Sequence, residues 1–355
     1  MQYKEPLELM GVPGSPYTRK MLALLRYRRI QYKLLPSLRG QLRPEPDRYR
    51  ERPQPKVPLL PTFYGTDEAG NEIAICDSTP LIRELDTEYP TRVVIPENPL
   101  LALINSVIED YADEWLTKAM FHYRWTYPPD IKKAGQMLPR WANINSPEAT
   151  MRERGRQISE LQISRLRYVG SNKITKKTIE SSFLRFIKLL DAHLTSNTFL
   201  LGMRPASCDF AVYGQLTCLA LFDPTPQSII LEFAPRVYAW TEVMEDLSGF
   251  EILDDDWPFE SRPAEELELP KSLLDILLEI GKTYIPYLLA NEQAIKSNKD
   301  LLKTEIEGLE WVQKPFPYQF KCLQTLRNEF QQLSIEQRKG FKNIFLGIGI
   351  SELFD

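Results

Sequence analysis

The chain has 355 residues, 43% apolar and 26% charged, a length suited to two or three domains and a composition typical of a globular protein. Its net charge of −4 argues against a nucleic-acid partner, which would show a basic excess, and no apolar run approaches the roughly 18 residues a membrane helix needs. Four scattered cysteines (Cys76, Cys208, Cys218, Cys322) form no CxxC pair, which disfavours a zinc site or dithiol centre and favours a reducing compartment. The first residues lack the basic-then-apolar order of a signal peptide, so the expectation is a cytoplasmic enzyme or binding protein without a metal.

Residues 1–90 read as α/β. Leu7 to Gly11 is a short strand, Pro13-Gly14 a turn, and residues 16–27 a helix with Met21, Leu22, Leu24 and Leu25 on its apolar face and Pro16 in its first turn. Ile30 to Leu35 reads as a second strand. Residues 36–56, rich in Arg and Pro, read as a loop with at most a short helix. Leu59 to Phe63 and Glu72 to Cys76 read as strands around a turn at Asp67–Asn71, and Ser78 opens a helix to about Glu88. The order βαβ then ββα is the thioredoxin-like order.

Pro90 to Pro99 reads as a linker into an all-helical domain over 98–256. A long helix from about Asn98 to Trp125 carries one apolar and aromatic stripe of Leu101, Ile104, Ile108, Tyr111, Trp115, Ala119 and His122, with Asp110, Asp113 and Glu114 off it. Further helical segments fall near 149–167, 175–195, 208–221 and 235–247. Residues 260–355 read as a helical extension of unassigned role, with a Leu-Leu-Ala-Asn291 segment and a Tyr-Gln-x-Lys-Cys322-Leu motif. Its Tyr284, Tyr287, Trp311, Phe316 and Tyr318 cap the active-site cleft, line a deeper substrate pocket or, more simply, pack against the helical domain.

Three short segments stand out: Ser15-Pro-Tyr-Thr-Arg-Lys20, Lys56-Val57-Pro58 and Asp77-Ser78. In that order within the first 90 residues they resemble the glutathione-binding half of the cytosolic glutathione S-transferases, in a bacterial-type form with Ser at the catalytic position. The resemblance implies a thioredoxin-like domain followed by a transferase-type helical domain, glutathione as co-substrate, a homodimer, and attack of the glutathione thiolate on an electrophilic small molecule.

By that resemblance Ser15 activates the thiol, with Tyr17 as fallback. A hydroxyl donor at the positive end of a helix favours a thiolate, although a Ser before a helix also serves as a plain N-cap. The Val57–Pro58 bond is expected cis, turning the Val57 backbone toward glutathione; an ordinary trans proline opening a strand is the other reading. Ser78 would hold the γ-glutamyl carboxylate and Asp77 the ammonium, a role compatible with capping. Lys56, or one of Arg39, Arg43, Arg48 and Arg50, would meet the glycine carboxylate.

The second substrate is expected between the domains, against Tyr111, Trp115, Tyr123 and Arg124, though Tyr111 and Trp115 also fit a core. Arg204-Pro-Ala-Ser-Cys-Asp209 resembles the family's capping-box segment, with Ala206 where a Ser or Thr is usual. Two other functions remain open. One is a non-catalytic ligand-binding or interaction protein on the same fold. The other is a thiol–disulfide enzyme, which Ser rather than Cys at position 15 disfavours.

Overall fold

The computed structural model describes residues 3–36, 52–253, 256–258, 262–263 and 267–354. The N-terminal elements run β1 (Leu7–Gly11), α1 (Pro16–Tyr27), β2 (Tyr32–Pro36), β3 (Thr62–Thr66), β4 (Glu72–Ile75) and α2 (Ser78–Glu88). The sheet order is β2-β1-β3-β4. β2 lies parallel to β1, while β3 and β4 add antiparallel, and Leu9 sits opposite both Leu34 and Phe63. This is the thioredoxin-like plan. Parallel β1 and β2 require a crossover, and α1 supplies it. α1 and α2 bury Leu22, Leu25, Leu81, Ile82 and Leu85.

The helical part begins with α3 (Pro99–Tyr111), which runs through a π-helical turn (Ala112–Leu116) into α4 (Thr117–Thr126). Helices α5 (Pro128–Ala142), α6 (Glu148–Ser164), α7 (Lys176–His193), α8 (Ser207–Leu219), α9 (Pro224–Phe233) and α10 (Pro235–Val243) follow. The expected stripe on α3 and α4 is buried, and so are Asp113 and Glu114 off the stripe, because other elements cover that side as well.

α1 and α8 pack tightly across the two parts. Gly214 permits this: a Cβ there would stand 2.7 Å from the Pro16 carbonyl oxygen. The segment at Ala206–Asp209 caps α8 through Asp209 alone. Its carboxylate accepts from Ala206 N at 2.9 Å and Leu200 N at 2.9 Å, while Ser207 Oγ instead donates to Glu109 Oε2 at 2.6 Å.

The last part holds α11 (Lys271–Lys296), β5 (Leu302–Ile306), β6 (Leu309–Gln313), α12 (Pro317–Gln332), α13 (Ile335–Ile344) and a 3₁₀ turn at Ile350–Phe354. The β5–β6 hairpin departs from the expectation of helix only. It turns at Glu307-Gly308, where both residues have positive φ (50° and 76°), the geometry that favours Gly in a two-residue hairpin loop. Trp311 is fully buried, with its ring 5.0 Å from Trp115 and 5.8 Å from Tyr287. The extension therefore shares one apolar core with the helical domain. Among the described residues no helix is long and apolar enough to cross a membrane.

Candidate functional site

Ser15 is the N-cap of α1, in extended geometry, with Pro16 at the first helical position. Its Oγ accepts from Thr18 N at 3.2 Å and makes a long contact, 3.5 Å, with the Leu60 carbonyl oxygen. No acidic residue occupies the first turn of α1, so the positive end of that helix is not neutralised from within. Trp141 from α5 covers the neighbouring residue: a Cβ on Gly14 would lie 2.4 Å from its ring. Phe222 packs against Trp141, with ring centroids 5.2 Å apart and planes tilted by 44°.

Tyr17 does not stand in for Ser15. Its hydroxyl donates to the Asp113 carbonyl at 2.7 Å, and burial, with Glu114 and Asp113 nearby, pushes its pKa well up. The side chain fastens the two domains instead.

The proline segment needs correction. Val57–Pro58 is not cis; the cis bond near β3 is Leu60–Pro61. Val57 is 50% exposed, and its carbonyl accepts from Leu59 N at 2.8 Å and from Cys76 Sγ at 3.2 Å. Lys56 and Pro58 are exposed too. The backbone that faces Ser15 belongs to Leu60. Two X–Pro pairs lie three residues apart, and the second directly precedes β3 at Thr62, a signal that sequence reasoning passed over. Arg39, Arg43, Arg48 and Arg50 lie outside the described residues.

Asp77 and Ser78 sit at the start of α2. Asp77 has φ 93° and ψ 103°, and its side chain makes no capping bond. Its Oδ2 instead accepts from the Tyr318 hydroxyl of α12 at 2.8 Å. Ser78 is buried, and its Oγ accepts from Lys20 Nζ at 3.2 Å. Lys20, 1% exposed, also pairs with Glu109 Oε1 at 2.8 Å and Asp113 Oδ2 at 2.6 Å. Burial works against the charge of Lys20, but Asp113 and Glu109 outweigh it and raise its pKa. Burial lifts Asp113 to about 6 against the pull of Lys20, and its Oδ1 is buried with no hydrogen-bond partner among the described residues.

The expected second-substrate wall is core. Tyr111, Trp115 and Tyr123 are at most 3% exposed. Tyr284, Tyr287 and Trp311 of the extension close on Trp115, and Phe183 and Phe186 of α7 close on Tyr123 and Tyr111. Arg124 pairs with buried Asp223 at 2.9 Å, so its charge is already engaged. The two histidines are structural: His122 lies between Ser171 and Glu180, and His193 between Ser272 and the Phe199 carbonyl. Among the described residues no group of three or more His, Cys, Asp and Glu is arranged to hold a metal.

Residues 9–93 match the family model described as glutathione S-transferase, N-terminal domain. These residues have the thioredoxin-like plan and are glutathione S-transferase-like. The match spans β1 through α2 and so contains Ser15, Leu60, Asp77 and Ser78. No curated protein matches the chain.

Solved structures resemble it at low identity. One is a glutathione S-transferase-like protein from Pseudomonas syringae, 16% identical, covering 67% of this chain and 66% of its own, with a TM-score of 0.40. The chain thus spans just under two thirds of that relative. A Tau class glutathione S-transferase from mango, Mangifera indica, is 14% identical and covers 71% of this chain and 96% of its own, at 0.40. A glutathione S-transferase from Methylobacterium radiotolerans, in complex with glutathione sulfonate, is 15% identical and covers 71% and 94%, at 0.38. The likeness to the family is carried by residues 9–93.

Proposed function

We propose that this chain binds glutathione on its glutathione S-transferase N-terminal domain and directs the thiolate to an electrophilic small molecule. The observation that carries this reading is the state of the Ser15 hydroxyl. Its oxygen accepts from Thr18 N, while its proton has only a 3.5 Å contact with Leu60 O. A thiolate is a better acceptor than that distant carbonyl, so the proton is free to stabilise it at a helix N-terminus. In this reading the Leu60 backbone, rather than that of Val57, runs beside the cysteinyl part, and Asp77 and Ser78 receive the γ-glutamyl end. The electrophile approaches from the Gly14–Ser15 side, where Trp141 and Phe222 offer apolar rings. The homodimer that the family resemblance implies and the cytoplasmic location expected from the sequence belong to this proposal as well; analytical ultracentrifugation tests the first.

Calorimetric titration with glutathione tests the binding, and turnover of an activated aryl halide tests the chemistry. Absence of binding at millimolar glutathione would overturn the reading. One observation favours a second reading, a non-catalytic ligand-binding or interaction protein: Tyr111, Trp115, Tyr123 and Arg124 are engaged in packing or ion pairing. Tight glutathione binding without turnover of several electrophile classes would favour it.

A further inference from the structure

The two motifs of the extension acquire physical roles at the glutathione site. Asn291 clamps the start of α12: its Nδ2 donates to the Phe316 carbonyl at 3.0 Å and its Oδ1 accepts from Phe316 N at 2.8 Å. Two residues on, the Tyr318 hydroxyl reaches Asp77 Oδ2 at 2.8 Å, across 241 positions of sequence. Gln319 Nε2 donates to Glu114 Oε2 at 2.7 Å, beside the π-helical turn. Farther along α12, Glu329 pairs with Arg83 of α2 at 2.6 Å. α12 is thus tied to the N-terminal domain at both its ends.

Asp77 needs such a tie. It is a non-glycine residue at φ 93°, a region that costs on the order of 1–3 kcal/mol and persists only where neighbours enforce it. Its carboxylate takes no hydrogen bond from its own helix. Tyr318 is the one described residue that donates to it, through Oδ2, which leaves Oδ1 with no hydrogen bond among the described residues. Burial, then Cys322 and Asp77, pushes the Tyr318 hydroxyl well up, so it stays a donor.

We propose that α12 is a working part of the glutathione site, with Tyr318 a positioning residue that holds Asp77 so its second oxygen receives the ammonium of the γ-glutamyl group. This rests on the glutathione-binding reading above. It extends the site from the N-terminal domain to the far end of the chain and makes an unsubstituted γ-glutamyl amine a requirement for tight binding.

The test is calorimetric titration of the full chain with glutathione and with glutathione lacking the γ-glutamyl amino group, on wild type, Tyr318→Phe, Asp77→Ala and the double variant. Tyr318→Phe keeps the ring and is expected to weaken glutathione binding about fivefold, the value of one hydrogen bond. kcat at saturating glutathione should stay within about twofold, so the change falls in KM. The double variant should bind no more weakly than Asp77→Ala, because Tyr318 acts through Asp77. The desamino compound should bind wild type and Tyr318→Phe alike.

If wild type binds glutathione but Tyr318→Phe binds equally well or more tightly, Tyr318 does not support Asp77 and the inference fails alone. Losses that simply add in the double variant, or a desamino compound that also loses affinity on Tyr318→Phe, overturn it too. If wild type does not bind glutathione, the underlying reading has failed, and the inference with it.

Discussion

At the scale of a residue, capping and thiol activation are compatible at Ser15. The cap uses an oxygen lone pair, on Thr18 N at 3.2 Å, and activation uses the proton. Two substitutions separate them. Ser15→Ala removes both and is expected to destabilise the fold by about 1 kcal/mol while lowering kcat/KM by roughly 10–100-fold. Ser15→Gly keeps an acceptable N-cap, at a cost of only a few tenths of a kcal/mol, yet still lacks the hydroxyl, so its activity should fall as far as that of Ser15→Ala. Thermal unfolding beside the pH–rate profile reads both; a Gly variant with wild-type turnover would leave Ser15 as a cap alone. Asp209 is the opposite case, a purely structural carboxylate. Asp209→Ala strips the acceptors from the N–H groups of Ala206 and Leu200 and should lower stability by about 2–4 kcal/mol in urea denaturation.

At the scale of an element, what was legible in the sequence follows from the range of the forces involved. The order of β1 to α2 was readable because each element has its own period and its own turn residues. Helices α5 and α9 escaped notice because Pro128-Pro129, Pro139, Pro224 and Pro226 look like breakers, although the first-turn positions tolerate proline. The β5–β6 hairpin has its signal in Leu302, Thr304 and Ile306 alternating toward Glu307-Gly308, but it is short and set between two long helical patterns. At the candidate site, Ser15 and the start of α2 are legible as local motifs. Tyr318 was noticed as an aromatic of the extension, but its partner Asp77 lies 241 residues away, a distance no local pattern reports. The same limit explains Tyr111 and Trp115: their stripe was visible, while the rings that cover Trp115 arrive with α11 and β6. That cover is strong enough to test. Trp311→Ala removes a fully buried indole and is expected to cost about 3–5 kcal/mol, read as a loss in the urea midpoint of the whole chain, since its core is continuous with that of the helical domain.

At the scale of the molecule, the extension and the helical domain meet over a layer of acidic groups, and this layer should make stability depend on pH. Burial lifts Asp110 to about 7, opposed by the Tyr284 hydroxyl of α11, which donates to it at 2.7 Å. The groups that face it are Asp113 and Glu109 from its own helix, with Cys322 of α12 beside Tyr284. Glu114, which borders the same layer, is lifted to about 8 by burial and by Asp110, while burial lowers Lys118 to about 7 against Glu114. A carboxyl with a folded pKa near 7 keeps a proton that the unfolded chain releases near pH 4. Its contribution is complete below pH 4 and is lost as pH rises toward 7. Lys118 works in the other direction, but only above about pH 7, where the folded amine is neutral and the unfolded one still charged. The clean window therefore lies between pH 5 and 7. Over it, Asp110 alone should lower the unfolding free energy by about 2 kcal/mol. Asp110→Asn retains an acceptor for Tyr284 and cannot ionise, so urea denaturation across that window should show a shallower loss of stability than in wild type. Equal slopes in the two proteins would mean that Asp110 is already ionised at pH 5, and that the α3–α11 contact tolerates a buried charge.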